Sequence, residues 1–200
     1  LGNGIDPLDM IAQYGADAMR FSLILLTKEG QDTRLAVEKF EQGRNFMNKL
    51  WNAARFALGK AGRLPALPAQ VTALEDRWIP SRLLATIEAV GGCWERYDFN
   101  DGANLLYRFT WNDVCDWYVE AIKPRLEAGD RVAAAVLGRV LRDLLALLHP
   151  IAPFVTESIW QRLREVSDEA LAPVLMTAPW PDGAGLFHHE PACPDWFDWR

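Results

Sequence analysis

An all-α fold, an antiparallel helical bundle ending in a short irregular tail, is what this 200-residue sequence predicts. Three observations lead there. Apolar residues recur every three to four positions, Gly and Pro interrupt that rhythm at short intervals, and from Ala172 onward proline recurs while the rhythm is lost. Short connections between long helices favour antiparallel neighbours. Half the residues are hydrophobic, with 9 Trp and 9 Phe, which is enough for a core.

Asp6-Pro7 followed by Asp9 reads as an N-cap, a proline at the first helical position and an acid in the first turn, with Gly15 as the stop. Residues 16-ADAMRFSLILL-26 predict a second, mostly buried helix, and 27-TKEGQDT-33 a loop. A long amphipathic helix follows from about Ala36 to Leu58, broken by Gly59 and Gly62, and 64-LPALPAQ-70 is a linker. Pro80 opens the next helix, in which Leu83, Leu84, Ile87, Val90 and Trp94 share a face as far as Tyr97. Asn100 or Asp101 caps its successor, where Leu105, Leu106, Phe109, Val114, Trp117 and Tyr118 bury one flank until Pro124 stops it. Residues 130–148 form an Ala- and Leu-rich helix. The 149-HPIAP-153 corner then leads to a shorter one carrying Phe154, Ile159, Trp160 and Leu163. The tail from Ala172 has room for one short strand and otherwise loop.

No apolar run reaches the roughly 18 residues of a membrane span. Cys93, Cys115 and Cys193 form no CxxC and leave an odd count, which argues against a disulfide framework. A cytoplasmic protein is the expectation, with no membrane partner. The chain opens at Leu1 in a Gly-Asn-Gly loop, as a fragment would.

Catalytic signatures are scarce: there is no phosphate loop, GxSxG, HExxH or GxGxxG. Asp113, Asp116 and Glu120 share a helical face, where solvation or pairing with Arg or Lys of a neighbouring helix explains them better than acid/base chemistry does. His149 stands at a helix C-terminus, placed to satisfy terminal carbonyls. His188, His189 and Cys193 lack metal-site spacing. We expect no catalytic residue and no metal ligand.

Charge is the sharper signal. The chain carries −6 overall, yet the window Arg34–Arg63 holds seven bases against two acids, so it is +5 and the remainder −11. A basic element in an acidic protein points to an anionic partner. Plotted at 100° per residue with Phe46 at zero, Phe40, Met47, Leu50, Trp51, Ala54, Ala57 and Leu58 occupy a core sector of about 140°. The opposite sector holds Arg44, Asn45, Lys49, Asn52 and Arg55, with Phe56 in its midst. Asn suits base edges, Lys and Arg neutralise phosphates, and a flat exposed ring offers a stacking surface for an unpaired base. The other reading of Phe56 is a ring covered by a neighbouring helix or the tail.

LGNGIDPLDMIAQYGADAMRF resembles the segment after the KMSKS loop of class I aminoacyl-tRNA synthetases. GQDTRL, RNFMNKLWNAARF, FTWNDVCDWYVEAIKPRL, HPIAPFVTESIW and APWP are similar, in order, to blocks of the helical anticodon-binding region of valyl-tRNA synthetases, over about residues 1–181. The GADAxRF and HPxxPFxTE blocks are shared with the isoleucine and leucine enzymes, whereas NKLWNAARF with WNDVCDWYVE is more specific to valine. The resemblance implies connecting helices over residues 1–33 after a catalytic domain, the bundle over 34–166 and a tail over 167–200. It also implies a parent that joins valine to its tRNA with ATP. In this chain it implies no cofactor, no chemistry, and a partnership with the anticodon stem-loop and with the parent's own upstream catalytic domain. Residues 182–200 do not look like the coiled-coil arm that follows the bundle in that family. Two alternatives stand beside this reading: a fragment of an isoleucyl- or leucyl-type enzyme, and a helical module that docks a protein.

Overall fold

The computed structural model describes residues 6–27, 37–184 and 186. Helices α1 (Pro7–Tyr14) and α2 (Ala16–Leu26) pack on the long α3 (Val37–Ala61). The α4 (Leu74–Glu95) and α5 (Phe99–Arg108) pair follows, and α5 runs through a π-helix (Phe109–Tyr118) into α6 (Val119–Glu127). After α7 (Arg131–Leu148) and α8 (Pro153–Val166), a single 3₁₀ turn spans Leu175–Thr177. Helix α7 is the centre: Leu137, Val140, Leu144 and Leu148 are fully buried among α3, α4, α6 and α8. Among the described residues there is no strand, only an isolated parallel bridge between Leu64 and Ser167, so the described part of the tail corrects the expected short strand. Arg34, His188, His189 and Cys193 lie outside the described residues. Among those described, no helix is long and apolar enough to cross a membrane.

Several starts and stops form as the local chemistry dictates. The Asp6 carboxylate accepts from Leu8 N at 2.8 Å, and Asp130 accepts from Val132 N at 2.8 Å and Ala133 N at 3.2 Å, each satisfying N–H groups that a helix leaves unpaired. Gly62, at φ +66°, ends α3, while Gly59 stays helical. Gly43 lets α2 and α3 touch: a Cβ there would lie 2.6 Å from the Ala18 carbonyl oxygen.

Other boundaries move because tertiary contacts outweigh local signals. Helix α4 begins at Leu74, six residues before Pro80, and keeps that proline inside. The added turns carry Glu75 and fully buried Asp76, both gripped by Arg125 at 2.7 Å. Pro124 does not stop α6, which continues to Glu127 and ends where Arg125 meets Asp130 at 2.8 Å. Asp98, not Asn100 or Asp101, caps α5; the Asn100 amide donates to the Ile24 and Leu25 carbonyls at the end of α2.

Trp117 is the clearest departure from an α-helical wheel. Expected in the core, it is 53 % exposed. A π-helix closes its hydrogen bonds at i→i+5, so the residues stacked on the core become Val114, Cys115, Tyr118 and Val119, and Trp117 turns outward.

Two remote stretches tie α2 to the far end of the bundle. The Asp17 carboxylate of α2 accepts from Phe154 N at 3.2 Å and Val155 N at 2.6 Å, supplying the side-chain cap that Ala152 cannot give α8. One turn on, Arg20 donates to the Ile151 carbonyl at 3.0 Å and the Pro150 carbonyl at 2.9 Å.

The Arg125 cluster sets a stability test. Burial pushes the Asp76 carboxyl above its ordinary range, and Arg125 opposes that shift. Arg125→Met leaves Asp76 buried without its counter-ion, so it should lose about 3–5 kcal/mol in urea unfolding at neutral pH, and adding Asp76→Asn should recover much of that loss. A single variant as stable as the parent protein would show that the cluster holds nothing in place.

Candidate nucleic-acid interface

Asn45, Lys49, Asn52 and Phe56 stand four, three and four residues apart on α3, which aligns them in one strip along the seam with the π-helix and α6. Asn45 and Asn52 are exposed, with no side-chain partner among the described residues. Lys49 is one-third exposed and pairs with Asp116 at 2.5 Å, its ammonium lying 5.2 Å from the Trp111 ring centre. The hydrogen bond it donates to Asp116 raises its pKa against the opposing effect of burial.

Phe56 is not the open ring the polar wheel suggested. It is half-buried, packed against the core at its edge, with Lys123 of α6 at 5.0 Å and Lys60 at 6.0 Å from the ring centre. Both ammonium groups are paired in turn, Lys60 with Glu127 at 3.0 Å and Lys123 with Glu120. The covering-helix reading therefore accounts for part of the ring, and two cations cap the rest.

Arg44 and Arg55 fall elsewhere. They lie about 100–120° round α3 from Phe56, Arg55 on the side of α8 and Arg44 beside α1. Arg44 bonds Glu41 at 3.2 Å and sits 5.4 Å from the Tyr14 ring. Arg55 is exposed and has no partner among the described residues. Trp51, placed in the core sector by the wheel, is 36 % exposed and lines a cleft against α8. The structure thus gathers four of the six candidates into one strip and sets the two arginines on the adjoining face.

Lys123 and Trp111 were missed because both lie beyond Arg108, where the period changes from α to π. The acids of that stretch are paired, as the sequence suggested: Asp113 with Arg82 at 3.0 Å, Asp116 with Lys49, Glu120 with Lys123. Burial pushes the Cys115 thiol beside them up to about 12, which makes it inert.

His149 differs from expectation. Its Nδ1 meets Thr156 Oγ1 at 2.8 Å rather than a terminal carbonyl of α7. That hydroxyl donates to the Ala152 carbonyl at 2.7 Å, so Nδ1–H is the donor and the buried Nε2 is an acceptor with no partner among the described residues. Burial lowers the pKa, which suits a corner residue held neutral.

The family model "Anticodon-binding domain of tRNA ligase" matches residues 76–193, and "tRNA synthetases class I (I, L, M and V)" matches residues 1–36. The valine–tRNA ligase of Thermotoga maritima is 45 % identical over 91 % of the chain, and that of Geobacillus stearothermophilus is 43 % identical over 98 %. The chain spans only 21 % and 22 % of those proteins' lengths. In fold, it is similar to a LeuRS–tRNA–LeuAMS complex from Agrobacterium radiobacter (TM-score 0.69, 22 % identity, 90 % of this chain and 21 % of that one). It is also similar to the free methionyl-tRNA synthetase of Mycobacterium tuberculosis (TM-score 0.64, 20 % identity, 94 % and 41 %).

His149 gives a pH test. Its folded pKa lies below the ordinary 6.5, so below that pH the unfolded chain binds a proton that the folded chain resists, and stability falls. Urea midpoints should drop between about pH 7.5 and 5.5 in the parent protein and drop less in His149→Gln. Equal slopes would remove His149 as the cause.

Proposed function

The chain belongs to the family of anticodon-binding domains of tRNA ligases, and we propose that it is the anticodon-binding part of a valine–tRNA ligase. Identity to valine–tRNA ligases over more than nine-tenths of the chain supports valine over the isoleucine and leucine alternatives. Joining valine to its tRNA with ATP belongs to the parts of such an enzyme that this chain does not span; its own role is to hold the anticodon stem-loop of a valine tRNA.

One observation carries the RNA reading: a half-buried ring, Phe56, capped by two lysines and flanked on its strip by exposed asparagines. An unpaired base displaces Lys60 and Lys123 from the ring face and stacks there. The freed ammonium groups turn to its phosphates, Asn52 bonds its edge, and Asn45, about 16 Å farther along α3, is left for a neighbouring nucleotide. Lys49, steered by Asp116 over Trp111, adds charge along the same line. A protein-docking face has no need of this pairing of cations with an aromatic ring.

Because Phe56 is partly buried at the edge of the core, Phe56→Ala should cost stability at the low end of the about 3–5 kcal/mol expected for a fully buried ring. Phe56→Leu keeps most of the packing and removes the π-face. It should weaken binding to a valine-tRNA anticodon stem-loop by about 1–3 kcal/mol with little change in melting temperature. Lys123→Ala should lower the salt slope of binding by about 0.7. Unchanged affinity in Phe56→Leu together with an unchanged slope in Lys123→Ala would place the RNA surface elsewhere.

A further inference from the structure

The APWP block, residues 178–181, returns to the bundle and closes a cleft of about 250 Å³ against α7 and α8. Three bonds from α8 and the 3₁₀ turn fix one side of this strap: Trp160 Nε1 donates to the Ala172 carbonyl at 3.0 Å, Gln161 Nε2 to the Pro173 carbonyl at 2.9 Å, and Leu175 N to Glu157 Oε2 at 2.9 Å. Arg139 of α7 fixes the other, donating Nη2 to the Ala184 carbonyl at 2.7 Å. Arg139 and Arg142 share the buried Asp143 carboxylate through their Nε atoms at 2.7 and 3.0 Å, and Arg142 Nη1 reaches Glu169 at 3.3 Å. Arg139 Nη1 and Arg142 Nη2 are left without a partner among the described residues. Trp160 and the half-exposed Trp180 supply apolar walls. Asp182, also on the cleft, accepts from Ala184 N at 2.8 Å with Oδ1, and its Oδ2 has no partner among the described residues.

We propose that this cleft binds a free α-amino acid with an apolar side chain. The inference is independent of the RNA reading, because the cleft shares no residue with the strip on α3. Size limits the occupant: the cleft lies below the roughly 300–1,000 Å³ of pockets for drug-sized ligands, so it takes a molecule of few atoms. Charge decides the type. Arg139 and Arg142 against Asp143 and Asp182 leave the lining with no net charge, so a simple anion gains at the guanidinium groups what it loses near the carboxylates. A zwitterion gains at both. Its carboxylate bridges the two unspent Nη groups in charge-assisted hydrogen bonds, its ammonium meets Asp182 Oδ2, and its side chain lies between the two indoles. Pro179 and Pro181 fix the backbone on either side of Trp180, so that wall is in place before anything binds.

Calorimetric titration of the chain with L-leucine tests this, beside two analogues that each lack one charge: 4-methylpentanoate has no ammonium group and 3-methylbutylamine no carboxylate. Leucine should bind with a Kd on the order of 1 mM, and each analogue about tenfold more weakly, as the loss of one charged contact implies. Asp182→Asn keeps an oxygen for Ala184 N and removes the charge at an exposed position. It should lower the affinity for leucine to that for 4-methylpentanoate and leave the affinity for 4-methylpentanoate unchanged. Trp180→Ala should weaken both. Absence of binding at about 20 mM leucine, roughly twentyfold above that Kd, would overturn the proposal. Equal binding of leucine and 4-methylpentanoate by the parent protein would overturn it too, as would parent-like binding of leucine by Asp182→Asn.

Discussion

The Arg125 guanidinium, bonded to Glu75 and Asp76 of α4 and to the Asp130 cap of α7, is the constraint on which the arrangement of the bundle turns. Tyr118 adds a fourth anchor by donating its hydroxyl to Asp76 at 3.2 Å. Burying such a cluster costs several kcal/mol per ion in desolvation, so its value lies less in net stability than in what it forbids. A helix slipped by one residue would leave Asp76, with no exposed surface, facing no cation. Lys123 stands two residues from Arg125 on the same short helix, so the register that satisfies Asp76 is also the register that lays Lys123 over Phe56. The polar core thereby positions the surface seam.

A second tie acts at the opposite end. Asp17 and Arg20 are 130 or more residues from the groups they bond, yet they saturate the backbone of the 149–155 corner from both sides: the carboxylate takes the first N–H groups of α8, and the guanidinium takes the carbonyls left free before it. Buried backbone groups demand partners, and a corner containing Pro150 and Pro153 cannot supply them locally. The GADAxRF and HPxxPFxTE blocks therefore form one structural unit.

Much of the fold was legible because it rests on local rules. Asp6, Pro7 and Asp130 act as caps wherever a helix begins, and the apolar stripe of α3 buries Phe40, Phe46, Leu50 and Ala57 as a 3.6-residue period requires. What escaped the sequence depended on partners it does not display. Pro80 looked like a helix start because nothing local showed that Arg125 would hold the turns before it. Trp117 looked buried because the ten-residue π-helix carries no compositional mark, and the same change of period hid Lys123. Trp51 sat at the margin of the core sector, at about 140° on the wheel, where exposure depends on how closely α8 approaches. The candidate site was half legible: the wheel could place Asn45, Lys49, Asn52 and Phe56 on one strip, but not the lysine that α6 lays across it.

An acidic chain with the RNA-binding strip proposed above is less paradoxical once the pairs on that strip are weighed. Lys49, Lys60 and Lys123 are each bound to a carboxylate, but each pair is partly exposed to solvent, and such pairs are worth at most about 1 kcal/mol. Exchanging a carboxylate for a phosphate therefore costs little, and the ring beneath the lysines gives up a cation contact of about 0.5–1 kcal/mol for a stacked base worth about 1–3. In the proposed complex, the acids that hold the lysines in place beforehand keep them oriented without consuming the affinity the lysines would provide. Charge beyond about 8 Å is screened at physiological salt, so of the acids outside the basic window it is Asp116, Glu120 and Glu127, the partners of those lysines, that bear on the strip, and more distant acids weigh little. What matters for the proposed strand is which cations it meets at close range: Arg55 and Lys60 of α3 and Lys123 of α6.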